Sequence, residues 1–318
     1  MTNDKLPMTN ENINSENGQQ IPDSGKVHKA GFVNILGRPN VGKSTLMNAL
    51  VGEKLSATTH KAQTTRHRIL GILSDEDYQI VFSDTPGIIK PAYKLQESMM
   101  NFVEGALEDA DVFLLVTEPA DRNPLPDKIV DNINKSGAPV ILAINKVDKS
   151  DIDQINDASA HWLGVFPNAR TIGLSALEKF NLDNLKRAII EVLPENPPFF
   201  PKDELSDRNV RFFVTEMIRE KILIHYKKEI PYAVEIVVDT YQEGPELDRM
   251  SVLIYVERES QKGIIIGPNG SALKRIATAA RHDIEKFIGK KVFMEILVKV
   301  KKDWRDNESM LKQFGYES

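Results

Sequence analysis

The sequence predicts two α/β units in tandem: a mostly parallel sheet with helices on both faces, then a smaller α+β unit. Three observations predict this. Up to about residue 193, short apolar runs alternate with amphipathic stretches of helical period, the pattern of repeated strand–helix–strand units. A phosphate-loop sequence at 37–45 stands between the first apolar run and the first helical stretch. Four prolines then fall within residues 193–201, and the element order changes after them.

The chain has 318 residues, enough for two domains. With 41% hydrophobic and 27% charged residues it has an ordinary globular composition. It contains no cysteine, which excludes disulfides, thiolate metal sites and a cysteine nucleophile. No stretch approaches the run of about 20 apolar residues that a membrane span needs. Residues 1–28 are rich in Asn, Glu, Gln and Ser, lack the apolar core of a secretion signal, and read as a disordered tail. The expected domains are 29–193 and 207–305, with a proline-stiffened linker at 194–206 and a C-terminal tail at 306–318.

In the first unit, strands are expected at 31–36, 69–73, 79–83, 112–116, 140–144 and 171–174, and helices include 95–108 and 182–193. The phosphate loop comprises Gly37, Arg38, Pro39, Asn40, Val41, Gly42, Lys43, Ser44 and Thr45. Glycines let such a loop wrap its backbone N–H groups around phosphate oxygens at a helix N-terminus. Lys43 is then expected to reach the β- and γ-phosphates, and Ser44 to ligate Mg²⁺.

The other pieces fall at strand ends, where open α/β sheets bind ligands. The polar segment 61–68, KAQTTRHR, suits a switch that closes on Mg²⁺ and the γ-phosphate; Thr65 is the first candidate ligand and Thr64 the second. Asp84, Thr85, Pro86 and Gly87 follow the third strand, with Asp84 expected to hold Mg²⁺ through water and the Gly87 N–H to meet the γ-phosphate. The fifth strand ends in Asn145, Lys146, Val147 and Asp148. A carboxylate at Asp148 accepts from guanine N1–H and its exocyclic amine, whereas adenine leaves it unpaired. Asn145 braces the loop and Lys146 covers the base. Ser175, Ala176 and Leu177 follow the sixth strand, with the Ala176 N–H expected at guanine O6. Together these pieces predict GTP or GDP as ligand with Mg²⁺, and they resemble the translation-factor-related class of GTPases.

GTPases that orient water with glutamine carry it just after the Asp-x-x-Gly turn. Here Ile88 and Ile89 stand there, so slow intrinsic hydrolysis is expected, with Lys43, Thr65, Gly87 and Asn40 as the catalytic set. Asn40 matches related GTPases that bridge the phosphates with K⁺, and that resemblance implies K⁺ dependence.

In the second unit a helix at 208–225, strands at 232–241 and 250–258, a short helix leading into Gly267–Gly270, a long helix at 271–288 and a strand at 291–300 are expected. Residues 258–305 carry 12 basic and 5 acidic side chains in a chain of net charge −5. Such a block is either a polyanion surface or a solvated helix face. The turn Gly267, Pro268, Asn269, Gly270 between two helices matches the Gly-x-x-Gly loop of a KH domain, which clamps about four single-stranded nucleotides. Lys262, Gly263, Ile266, Lys274 and Arg275 complete the expected RNA-binding set. A protein-interaction unit is the other reading.

One GTPase domain joined to a type II KH domain resembles the bacterial Era family across roughly residues 28–305. The resemblance rests on GRPNVGKST, KAQTTRHR, DTPG, NKVD, the proline-rich join and QKGIIIGPNG. It implies a cytoplasmic GTPase that binds the 3′ region of small-subunit ribosomal RNA, aids assembly of that subunit and associates loosely with the membrane. An RNA-binding adaptor that keeps GTP as a structural ligand is the alternative.

Overall fold

A computed structural model describes residues 27–316; the expected tail at 1–28 lies almost wholly outside the described residues. The first unit runs β1 (Lys29–Leu36), α1 (Lys43–Val51), β2 (Ile69–Ser74), β3 (Tyr78–Asp84), α2 (Lys94–Glu108), β4 (Val112–Thr117), α3 (Asp127–Ser136), β5 (Val140–Ile144), α4 (Ile152–Val165), β6 (Arg170–Gly173) and α5 (Leu182–Val192). Its six strands lie in the order β2-β3-β1-β4-β5-β6. Only the β2–β3 pair is antiparallel. β4 is buried at every position, as a central strand covered on both faces must be. One apolar layer gathers Leu36, Phe113, Leu115, Leu142 and Trp162, and the opposite layer gathers Val33, Leu114, Leu46 and Leu185. All six expected strands occur, with no end shifted by more than two residues.

The linker is bonded to the sheet along its length. Ala30 donates to Pro194 O, the buried Gln79 side chain accepts from the Phe199 and Phe200 amides, and Ile72 on edge strand β2 donates to Leu205 O. Its prolines have no N–H to satisfy, and the Asn196, Phe199 and Phe200 amides find partners on the first unit.

The second unit runs α6 (Val210–His225), β7 (Glu235–Gln242), β8 (Leu247–Val256), α7 (Glu259–Ile266), α8 (Ser271–Ile288), β9 (Lys291–Val300) and α9 (Glu308–Gln313). β7 pairs antiparallel and β9 parallel with the central β8. α8 buries Ile276, Ala280 and Ile284, four residues apart, on one stripe.

Three expectations need correcting. The strand at 232–241 starts only at Glu235, because Ile230–Tyr232 forms a 3₁₀ turn with proline in its first turn. The strand at 250–258 begins earlier, at Leu247, and stops at Val256, where Arg258 caps α7. The segment 306–316 is not a loose tail. Trp304, Leu311 and Tyr316 are buried against Leu95 and Met99 of α2, so the described part of this segment packs back on the first unit.

Candidate nucleotide site

At the carboxyl ends of β1, β3, β5 and β6 lies a cavity of about 580 Å³. Its walls include Pro39, Asn40, Gly42, Lys43, Ser44 and Thr45 of the phosphate loop, then Thr65, Gly87, Asn145, Lys146, Asp148, Ser175 and Leu177. Five separate sequence pieces thus meet in one hollow, which the topology of an open α/β sheet explains.

Lys43 is buried, and its ammonium donates to the carbonyls of Gly37 and Arg38 at 3.1 Å each. Burial lowers its pKa to about 8, against the pull of the Asp84 carboxylate. A second anion beside it would offset that burial. Gly42 caps α1 with φ 100°, and a Cβ there would collide with the Asn145 amide nitrogen. That amide is the brace expected of Asn145: it donates to Val41 O at 2.8 Å while its oxygen accepts from the Ala176 N–H at 2.9 Å. The Ala176 amide, expected at guanine O6, is therefore engaged by Asn145, which ties the base loop to the phosphate loop.

Three oxygens converge beside Lys43. The Ser44 hydroxyl donates to Asp84 Oδ2 at 2.6 Å and lies 2.9 Å from Thr65 Oγ1, which is 3.3 Å from the same carboxylate oxygen. Asp84 Oδ1 is buried with no hydrogen-bond partner. Burial pushes the Asp84 carboxyl up, opposed by Lys43 and the Ser44 bond. A buried carboxylate with one unpartnered oxygen beside two hydroxyls fits a hard divalent cation. Thr64 does not join this group: its hydroxyl bonds Lys61 O and Thr59.

Other expected residues have side chains engaged with neighbouring protein groups. The Thr85 hydroxyl donates to Ile35 O on β1, Val41 is buried in the core, and Arg38 reaches out to Pro124 O and Asp121. Lys146 is in the left-handed region, φ 65°, and its ammonium bonds Asn40 O and Glu118. The Ile88 N–H donates to Gly37 O while its side chain is buried in the core layer, away from the cavity. Neither isoleucine offers a group that binds water.

The turn between α7 and α8 is some distance along the chain and differs in kind. Gly267 has φ 71°, and a Cβ there would lie 2.6 Å from that of Ala272, so glycine is required for the helices to meet. Pro268 and Asn269 are exposed, as are Gly263, Lys274 and Arg275, while Lys262 and Ile266 are half-buried. Ile264 is also 52% exposed beside this turn, an apolar surface the expected set omitted.

With this geometry in hand the comparisons are decisive. The 50S ribosome-binding GTPase family matches residues 32–146, and the KH domain family matches residues 229–305. GTPase Era of Alkaliphilus oremlandii is 44% identical over 294 residues, covering 91% of this chain and 99% of its own. The chain belongs to the Era family of GTPases. A chloroplastic ERA-like GTPase of rice is 46% identical, over 91% of this chain and 70% of its own. A crystal structure of Era in complex with MgGDPNP and nucleotides 1506–1542 of 16S ribosomal RNA aligns over 92% of this chain with TM-score 0.87 and 36% identity. A variant of Aquifex aeolicus Era bound to GDP and AlF₄⁻ aligns equally well, at 0.87 and 37%.

Three residues of this Era-family chain carry contacts the sequence reading did not assign. Arg66, Arg219 and Glu220 are buried where the loop between α1 and β2 meets the second unit. The only signal was charge: Arg219 and Glu220 fall on an otherwise core-facing stretch of α6, an unfavourable place for ions without partners.

Proposed function

We propose that the protein is a GTP-hydrolysing switch that binds single-stranded RNA of the small ribosomal subunit, its 3′ region, and aids assembly of that subunit in the cytoplasm. What supports the reading is one chain carrying both a guanine-type nucleotide cavity and a glycine-hinged turn on a basic block. The Era structure with MgGDPNP and 16S ribosomal RNA nucleotides is similar to it over 92% of its length.

In this reading Asp148 accepts from the guanine edge, Lys43 and the loop amides bind the phosphates, and Ser44 and Thr65 hold Mg²⁺, with Asp84 reaching it through water. Bound there, Mg²⁺ supplies neutralisation of charge on the β- and γ-phosphate oxygens. The Gly87 N–H meets the γ-phosphate. Because Ile88 is turned into the core, no side chain after the turn orients water, and the intrinsic rate is slow. RNA lies along Gly267–Gly270, where the backbone allows a phosphate chain to approach closely and Lys262, Lys274 and Arg275 supply charge. No helix among the described residues is long and apolar enough to cross a membrane, so membrane association in this reading is peripheral.

The test is single-turnover hydrolysis of GTP with and without a single-stranded RNA copied from the 3′ end of small-subunit ribosomal RNA. A measurable basal rate that rises with the RNA is expected. No hydrolysis in either case would leave an adaptor that holds GTP structurally. Asn40 stands exposed at the cavity lip with its carbonyl on Lys146. The same assay in KCl and NaCl at equal ionic strength decides whether K⁺ assists, and equal rates remove K⁺ from the reading.

A further inference from the structure

The segment that carries Thr65 is held largely from outside the nucleotide-binding unit. Glu220 of α6 is 2% exposed, and its Oε1 accepts the Thr58 backbone N–H at 2.9 Å. Its other oxygen accepts from Lys54 at 2.6 Å. Arg219, 3% exposed, pairs with Glu216 through two nitrogens, and its third donates to the carbonyls of Thr64 and Gln63. Thr64 immediately precedes Thr65, so a bond at its carbonyl fixes the peptide plane that leads into Thr65.

On the far side of Thr65, Arg66 is 1% exposed and donates to Val234 O at 2.7 Å and to Glu235 at 3.2 Å. Thr65 is therefore bracketed by contacts to the second unit, while its own hydroxyl points the other way, to Ser44 and Asp84. Two charges on consecutive residues of α6 are buried, and both are directed at backbone groups of a loop. Buried charges require such partners. The loop in turn requires them to hold one conformation, since it forms neither helix nor strand between α1 and β2.

We propose that Arg219 and Glu220 are positioning residues for GTP hydrolysis. They fix the 58–66 segment so that the Thr65 hydroxyl stands at the magnesium site, and the seating of α6 thereby sets the hydrolysis rate. This rests on the reading of Thr65 as a magnesium ligand. It assigns to the RNA-binding unit a direct part in the chemistry of the other unit, because α6 belongs to the former by chain and packing.

The experiment uses the full chain and compares wild type with Glu220→Ala, Glu220→Gln and Thr65→Ala. It measures kcat at saturating GTP and Mg²⁺, affinity for a fluorescent GDP, and the thermal midpoint. Glu220→Ala is expected to lower kcat roughly tenfold to a hundredfold, as small misplacements of reacting groups do. GDP affinity should stay within about twofold of wild type, because GDP does not need the segment closed. Glu220→Gln keeps an acceptor for the Thr58 N–H and is expected to recover most of the rate. Wild-type kcat in Glu220→Ala overturns the proposal. So does a Gln variant no better than Ala, which would assign the effect to the ion pair with Lys54, and so does a parallel fall in GDP affinity, which would signal general loss of structure. If Thr65→Ala itself hydrolyses GTP at the wild-type rate, the magnesium reading fails. If only Glu220→Ala is silent, that reading stands and this inference alone falls.

Discussion

Around the phosphates, Lys43, Asp84 and Asn145 are buried, and each already bonds backbone or a neighbouring site residue. At the Gly267–Gly270 turn, Pro268, Asn269, Lys274 and Arg275 are exposed, and charge and backbone shape are what the turn offers. The first arrangement is preorganised: its buried groups are held before a ligand arrives, while Asp148, the residue proposed to read the base edge, is exposed at the rim and would be desolvated only once a base covers it. Under the proposed function the second would gain from counterion release and close backbone approach, which by themselves discriminate weakly between strands of different sequence. On the proposed function one chain would hold a selective site and a permissive one, and substitutions in the two should fail differently.

The largest effect is expected at Asp148. Asp148→Asn replaces one of the two acceptor oxygens facing guanine N1–H and the exocyclic amine with an amide donor, and should weaken GTP binding roughly 10³-fold or more. It should also raise affinity for xanthosine triphosphate, whose carbonyl at that position accepts from an amide. Competition binding with the two nucleotides checks both arms. A uniform loss with no change in preference would show that Asp148 only supports the loop, and the contrast between the two sites would weaken.

Carboxylates placed at the other site should act by repulsion. The double variant Pro268→Glu, Asn269→Glu is expected to weaken RNA binding about a hundredfold while GTP affinity stays within twofold. Lys274→Ala should cost only a few-fold and reduce the slope of log affinity against log salt by about 1. Filter binding across a salt series separates these outcomes. Undiminished RNA affinity in the double variant would favour a protein-interaction role for this unit.

The sheet, the phosphate loop and the turn at 267–270 were legible because each depends on local chemistry: period, glycine conformation, and residue type at fixed spacing. The pairing of Thr65 rather than Thr64 with Ser44 and Asp84 was only ranked, since adjacent threonines differ in orientation and not in kind. The bond from the Ala176 N–H to Asn145 was not legible, because the two residues stand 31 positions apart. The end of the chain was least legible. Trp304, Leu311 and Tyr316 are spaced like a short polar tail with scattered apolar residues, and only the α2 surface makes them core. The buried Arg66–Glu235 and Glu235–Tyr316 bonds likewise join residues 169 and 81 positions apart, beyond any sequence pattern.

That joint between the two regions supplies the smallest prediction. His67 stacks on Tyr316, with ring centroids 4.3 Å apart, and burial lowers its pKa to about 3, with Arg219, Arg208 and Arg66 adding repulsion to the protonated form. The folded imidazole is thus neutral, whereas the unfolded one takes up a proton near 6.5. A base whose folded pKa is depressed contributes stability that is intact above the unfolded value and is lost as pH falls below it. Between pH 6.5 and 5.5 the loss should be about 1 kcal/mol. Urea unfolding at the two pH values measures it, with His67→Phe as the reference, because a phenyl ring keeps the stack and has no proton to gain. The wild type should lose more stability than the variant over that interval, by about that amount. Equal losses would mean that the ring is protonated in place or that the joint opens before the rest of the protein unfolds. In the second case the selective and permissive regions are coupled more loosely than their buried contacts imply, and the Tyr316 contact would be the first to part.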